Sequence, residues 1–430
     1  ESQERMLVVI KKGYEEQLHA IFSKWDLDCT EVGIVTDTKK LEVFHNGECV
    51  ADIPTNELVL GGGAPQYDMP YSEPDYYTSL NKLDINNLKE PDNYNEVLCD
   101  LLSSPTITNK EYVYSQYDST VRTNTIIGPG SDAAVVRIKG TSKALSISTD
   151  CNGRYVYLNP RKGGMIAVAE SARNVVCSGG IPLAITNCLN FGNPQDPEIY
   201  WQFKEAVLGM GDACRAFNTP VTGGNVSFYN ESSLGAVYPT PVIGMVGLLE
   251  DSSKSMDISF KDSGDMILAI GAINGGLGGS EYLKNFHGLI EGPIPDIDLE
   301  IEISVQKICL ELINKGFIKS AHDISDGGLS VNIAESICSS EKGLGAEINI
   351  DRKLRIDEIL FGETQGVIIV SLNPKNLHHV ALLAQEHNIH TQTIGVVTDD
   401  SSLKINNVID LQRGVLEDKY FKTLESTMVD

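Results

Sequence analysis

Apolar residues recur along this chain at two spacings, every second position and every third or fourth, and the alternation between them predicts an α/β protein. The run Ala144–Thr149 alternates apolar and small polar residues and predicts a strand. Met165, Val168, Ala172 and Val175 then recur at helical spacing, and Phe203, Val207, Met210 and Cys214 define one face of a second helix. Helical spacing returns near 303–315 and 327–338, strand-like runs near 366–372 and 393–397, and Leu416 to Leu424 predicts a short amphipathic helix. The first sixty residues read β-α-β-β.

Two of these patterns are one pattern repeated. Residues 1–43 and 363–405 align without a gap: Glu1, Gln3, Val8, Gly33, Val35, Thr36, Asp37 and Leu41 match Glu363, Gln365, Val370, Gly395, Val397, Thr398, Asp399 and Leu403, each pair 362 residues apart. Solenoid repeats run to 20–50 residues, so this separation implies duplication of a whole multi-domain unit. On that reading the chain holds the tail of a first copy and a complete second copy. The front of the first copy is expected upstream of Glu1.

The layout follows. Residues 1–60 are the end of the first copy's C-terminal domain, and the Gly- and Pro-punctuated stretch 61–94 reads as a linker. Residues 95–252 and 253–412 form the second copy's N-terminal and C-terminal domains, and 413–430 a closing helix. With 430 residues, 41% of them hydrophobic, there is length for several buried cores. No apolar run is long enough to span a bilayer, so no membrane partner is expected. The balance of 34 Lys+Arg against 59 Asp+Glu, a net charge of −25, argues against nucleic acid, whose phosphates would be repelled. It leaves open a small phosphorylated ligand held by backbone N–H groups and a metal ion. Nine scattered cysteines without metal-type spacing fit reduced, buried thiols in the cytoplasm.

Four segments carry candidate chemistry. In Thr222-Gly-Gly-Asn-Val-Ser-Phe-Tyr-Asn230 the paired glycines permit close approach to a ligand; Asn225 offers a carbonyl to a hard cation and Ser227 a hydroxyl to a phosphate. The same residues also suit a plain glycine turn with an Asx cap. Ile185–Pro194 is a polar strand end, the kind of place where α/β folds bind ligands, or simply where strands close. Asn274–Leu283 is glycine-rich and opens a helix, an anion site by type or a turn. In Ala321–Leu329, Asp323 and Asp326 are placed to chelate Mg²⁺, or Asp326 to cap the next helix, while His322 reads better as a hydrogen-bonded structural residue than as a base. There is no Ser-His-Asp order, zinc spacing or glutaminase Cys-His-Glu pattern.

Taken together, Glu1-Ser-Gln-Glu-Arg-Met, Gly130-Ser-Asp-Ala-Ala-Val-Val, Asp150-Cys-Asn-Gly-Arg-Tyr-Val-Tyr, Leu189-Asn-Phe-Gly-Asn-Pro, Gly223-Gly-Asn-Val-Ser, Leu277-Gly-Gly-Ser-Glu-Tyr-Leu and His322-Asp-Ile-Ser-Asp-Gly-Gly resemble the phosphoribosylformylglycinamidine synthases in their small bacterial form (subunit II). The resemblance covers essentially the whole chain. It implies tandem aminoimidazole-ribonucleotide-synthetase-like units of α/β class, each with an N-terminal and a C-terminal domain, the two N-terminal domains pairing as a pseudo-dimer. It also implies an ATP-dependent ligase of purine biosynthesis. Formylglycinamide ribonucleotide is phosphorylated by ATP to an iminophosphate, and glutamine-derived ammonia displaces phosphate to give the amidine and ADP.

Residue by residue, the resemblance assigns substrate binding to Glu1, Ser2, Gln3 and Ser227, ATP binding to Asn187 and Gly224, and Mg²⁺ ligation to Asn225. Asn187 stands where the family usually has Asp, which keeps a hydrogen-bonding oxygen and loses a charge. The catalytic histidines and most metal carboxylates are implied upstream of Glu1, so none is assigned in this chain. Gly278, Gly279, Asp323 and Asp326 match the non-catalytic or structural nucleotide site of the second copy. Implied partners are a glutaminase subunit, a small bridging subunit and the N-terminal half of the same protein. The competing reading is a non-catalytic scaffold half that holds a structural nucleotide and docks the glutaminase.

Overall fold

The computed structural model describes residues 5–58, 69–351 and 354–429. They fall into two compact units, Glu1–Asp68 and Met69–Asp430. Glu1, Ser2 and Gln3 lie outside the described residues.

The first unit contains helix α1 (Glu15–Lys24) and an antiparallel hairpin of β1 (Lys40–His45) and β2 (Glu48–Pro54). Leu41 pairs with Ile53 and Val43 with Ala51, and the register slips after Val43. The further strands expected within residues 5–12 and 33–37 are not formed.

The second unit opens with α2 (Asp75–Leu80), α3 (Tyr94–Leu102) and α4 (Glu111–Tyr114). A first sheet then follows from β3 (Thr125–Ile127), β4 (Ala134–Arg137), β5 (Ala144–Asp150), β6 (Ile181–Asn190), β7 (Val221–Ser227) and β10 (Thr240–Leu249), with a small separate hairpin of β8 (Glu231–Ser232) and β9 (Gly235–Ala236). The strand order is β3-β4-β5-β10-β6-β7, and only the β6/β7 pair is parallel. That pair is bridged by α7 (Pro197–Phe217), while α5 (Gly153–Leu158) and α6 (Pro160–Cys177) connect β5 to β6.

Both long helices begin with a side-chain cap followed by proline: Asn159 accepts from the Lys162 N–H before Pro160, and Asp196 from the Glu198 N–H before Pro197. They cross closely at Gly209, where a Cβ would lie 1.9 Å from the Arg161 carbonyl oxygen. Met210 and Cys214 face the core as expected, but Val207 is exposed, and Ala206 and Ala213 take the buried positions. Among the described residues of this unit, the helices cover one face only. Ser146 and Ser148 bond to the α6 backbone, whereas their neighbour Ile147 and its cross-strand partner Val246 remain exposed on the other face.

A second sheet is built from β11 (Met266–Ile270), β12 (Ser320–Asp323), β13 (Gly345–Ile348), β14 (Ile368–Leu372), β15 (Thr391–Thr398), β16 (Ser402–Ile405) and β17 (Ile409–Gln412), in the order β12-β14-β11-β15-β13-β16-β17. Its helices are α8 (Leu299–Lys315), α9 (Gly328–Cys338), α10 (Ile356–Phe361), α11 (Leu377–Glu386) and α12 (Arg413–Val429). The sheet is covered on both faces, which is why β11 reads as an unbroken apolar run and every residue of β14 is buried, Ser371 included. Ile267 and Ala269 join a core with α3, α9, α10 and α12; Leu268 and Ile270 join another with α8 and α11.

Two expected boundaries move. Residues 69–94 are folded parts of the second unit, not a free linker: Tyr76 stacks on Tyr157 with ring centres 4.4 Å apart, the Gln202 amide donates to its hydroxyl, and Leu83, Ile85 and Leu88 pack on the second sheet's core. The aromatic and leucine side chains decide this, not the intervening prolines. Helix α3, assigned by sequence to the N-terminal domain, also belongs to that core through Val97, Leu98, Leu101 and Leu102.

The 362-residue register reappears in the backbone. α11 at 377–386 corresponds to α1 at 15–24, and β16 and β17 correspond to β1 and β2. The counterparts of β14 and β15 are the strands missing from the first unit. β14 and β15 bond to β11, β12 and β13, which have no counterparts within these 430 residues. A strand needs a neighbour, and the hairpin alone brings its own.

Candidate functional site

The predicted nucleotide-facing residues converge on the parallel β6/β7 pair. Asn187 aligns with Gly224, Cys188 with Asn225, and Asn190 with Ser227. Among the described residues β7 is the edge strand of its sheet and one side of its backbone is unpaired. Gly224 is required here by its neighbour: a Cβ would lie 2.0 Å from the Asn187 side-chain oxygen and 2.7 Å from its carbonyl oxygen. Gly224 and Asn225 are exposed, and Asn187 and Ser227 half-buried. Ser227 Oγ lies 3.2 Å from Asn230 Oδ1, while the Asn230 amide donates to the carbonyls of Phe191 and Ser227 at 3.0 and 2.9 Å. The edge therefore presents a bare backbone, an amide and a hydroxyl side by side.

Of the substrate-binding residues read from sequence, Glu1, Ser2 and Gln3 lie outside the described residues, but their second-copy counterparts do not. Glu363 is buried, accepts from the N–H groups of Glu281 (2.8 Å) and Gly327 (2.9 Å), and takes the Tyr155 hydroxyl. Thr364 donates to the Gly275 carbonyl, and Gln365 accepts from Arg173 at 2.8 Å. In this copy the tripeptide serves the interior.

Asp323 and Gly279, both buried, and the half-buried Asp326 join a second cluster. Oxygen and nitrogen atoms of Asp132, His322 and Asp323 lie within 4.8 Å of one another, a grouping able to hold a metal ion. Arg173, fully buried, pairs with Glu302 and Asp323 and reaches Glu170 at 3.5 Å. Arg154 pairs with Glu281 at 2.6 Å and donates to the Gly279 carbonyl, with Asp326 at 3.7 Å. Carboxylates outnumber these cations. Burial, then Asp323 and Asp326, push the Asp150 carboxyl up to about 8. Asp323 rises to about 6 for the same first reason, opposed by Arg173. For His322 burial favours the neutral ring, but Asp132 at 2.6 Å and Glu335 at 2.9 Å outweigh it and hold the imidazolium.

His322 is thus a hydrogen-bonded interior residue, as its sequence setting implied. Asp326 does not cap α9. Gly327 occupies that position without a side-chain bond, and Asp326 accepts instead from Asn152. The glycine-rich run before Leu283 opens only a short π-helical turn, Leu283–His287. Sequence reasoning quoted Asp150 in a motif without giving it a role, and passed over Glu170 and Arg173. The available signal was a Glu and an Arg on the mostly apolar and small-residue stretch of α6 from Met165 to Cys177. All nine cysteines are unpaired; Cys49 and Cys188 are exposed, unlike the buried thiols expected.

This architecture is that of the AIR synthase related proteins. The N-terminal domain description of that family matches residues 130–249, and its C-terminal domain description matches both 1–46 and 262–406. The chain belongs to this family. It is 46% identical to phosphoribosylformylglycinamidine synthase subunit PurL of Alkaliphilus metalliredigens, covering 100% of this chain and 58% of that protein. It is 47% identical to the same subunit of Caldanaerobacter subterraneus, covering 98% and 57%. The chain therefore spans under three-fifths of the length of these relatives. In fold it is similar to Thermotoga maritima PurL complexed with FGAR (TM-score 0.61, 19% identity, 76% of this chain and 54% of that one). It is similar also to the same protein complexed with ATP (0.58, 18%, 76% and 53%) and in PurLQS (0.59, 17%, 80% and 54%).

Proposed function

We propose that this chain is part of an ATP-dependent carbon–nitrogen ligase that converts formylglycinamide ribonucleotide, ATP and glutamine-derived ammonia into formylglycinamidine ribonucleotide, ADP and phosphate. The observation that carries the reading is the β6/β7 edge, where Gly224 is kept bare against Asn187 and Asn225 and Ser227 follow on the open strand. It occurs in a chain nearly half identical to PurL subunits along its whole length. An amide oxygen is a poor leaving group, and phosphorylation turns it into one that ammonia displaces. On this reading Asn187 and Gly224 hold ATP and Ser227 the ribonucleotide, while the substrate-binding role that the resemblance gives Glu1, Ser2 and Gln3 falls on residues outside those described.

Asn225 fits Mg²⁺ as one neutral oxygen ligand, but Mg²⁺ sites usually include one or two carboxylates. The β6/β7 edge supplies none, so the remaining ligands would come from ATP and from the other half of the protein. Bound there, Mg²⁺ would neutralise phosphate charge. The repeated match of one domain description to 1–46 and 262–406 supports internal duplication. The uncovered sheet face at Ile147 and Val246 supports pairing with a second N-terminal domain. The PurLQS assembly of a fold neighbour supports glutaminase and bridging subunits as partners. The unpaired thiols suit a cytoplasmic setting. The names of the relatives favour this ligase over a non-catalytic scaffold.

With ammonia as nitrogen donor, the isolated chain should show no synthase activity, and supplying the rest of the protein should restore it. In the restored enzyme, Gly224→Ala should lower kcat/KM for ATP at least tenfold by driving a methyl into Asn187. Turnover by the chain alone, or wild-type kinetics in Gly224→Ala, would overturn the assignment.

A further inference from the structure

Two loops meet at the far end of β7 and are tied together with unusual thoroughness. Phe191 N–H donates to the Ser227 carbonyl at 3.0 Å, Tyr229 N–H to the Gly192 carbonyl at 3.0 Å, and Asn230 N–H to the Phe191 carbonyl at 3.1 Å. The Asn230 side chain adds its two bonds to Phe191 and Ser227, and Glu231 accepts from the Asn193 N–H at 2.7 Å. Phe228 turns inward onto Phe203, ring centres 5.1 Å apart. Tyr229 turns outward. Its φ is +60°, a left-handed conformation that glycine and asparagine adopt readily and a bulky aromatic residue does not. The residue is 60% exposed, and among the described residues its side chain makes no ring contact or hydrogen bond. The surrounding backbone bonds hold this strain in place, while the exposed ring takes no part in holding it.

We propose that Tyr229 is a ligand-contact residue that fixes specificity for the phosphoribosyl amide bound at Ser227, packing its ring against the sugar and directing its hydroxyl to a polar group of that ligand. The proposal rests on the reading of the β6/β7 edge as ligand-facing. Tyr229 lies two residues from Ser227 and five from Gly224, and the contact proposed for it is accordingly with the ribonucleotide.

The test uses the whole synthase with ammonia as donor and compares Tyr229→Asn, Tyr229→Gly and Tyr229→Phe, with Ser227→Ala alongside. Tyr229→Asn and Tyr229→Gly should melt at or above the wild-type temperature, because both residues accept the backbone conformation, yet raise KM for formylglycinamide ribonucleotide about tenfold, the loss of roughly 1.4 kcal/mol. KM for ATP should not move, and Tyr229→Phe should give a smaller rise. A lower melting temperature in Tyr229→Asn would make the ring structural and overturn the proposal. So would an unchanged KM for the ribonucleotide. In that case Ser227→Ala tells which idea failed: if it raises KM, only the role of Tyr229 falls, and if it too is silent, the reading of the β6/β7 edge falls with it.

Discussion

Held at about 8 by burial and by Asp323 and Asp326, the Asp150 carboxyl keeps its proton at neutral pH, where the unfolded chain would release it. Between the ordinary carboxyl value and about 8 the folded state binds more protons, so stability falls as pH rises through that window. His322 acts with the same sign, because Asp132 and Glu335 keep its ring protonated past its usual range. Asp150→Asn should flatten the dependence: thermal melts should show the variant gaining on wild type at pH 8 relative to pH 5. An equal difference at both would mean that Asp150 is ionised throughout. Single residues were legible in the sequence where the determinant is local. Gly224, Asn225 and Ser227 belong to one strand whose glycine pair is visible, and Asn187 was carried by the resemblance. Asp150 and Arg173 were not, because the burial of a charge depends on partners far away in sequence; Glu302 is 129 residues from Arg173.

The same contrast governs whole elements. β14 and its counterpart near Val8 share a pattern, and the pattern correctly marks a strand only where β11 and β12 are present to pair with it. Helices, which bond internally, were read well: α6, α7 and α12 appear where the spacing placed them, and α1 matches α11 residue for residue in the repeat. What spacing could not show was docking, as with α3 and residues 69–94. α12 gives a test at this scale. The Tyr420 ring is buried in the core shared with α3 and α9, and its carbonyl accepts from Asn109 N–H and Thr108 Oγ1. Tyr420→Ala should cost about 3–5 kcal/mol in denaturant unfolding of the second unit. A loss under about 1 kcal/mol would show that the helix only rests on the surface.

Across the molecule, the family's two domain descriptions divide the second unit between its two sheets, and the interior does not respect that division. Arg173 projects from α6, which serves the first sheet, and is gripped by Glu302 of α8, Asp323 of β12 and Gln365 just before β14, all of the second. Removing one partner from a buried ion pair costs about 3–5 kcal/mol, so Arg173→Met should destabilise the second unit by that order. Calorimetry should record one transition for the wild-type unit, with calorimetric and van't Hoff enthalpies in agreement. Two resolved transitions would show that the sheets melt separately. A guanidinium shared in this way makes the pair of lobes a single thermodynamic body: heat, denaturant or a core lesion in either half is felt by both, and neither half is expected to persist as a folded remnant once the other is lost.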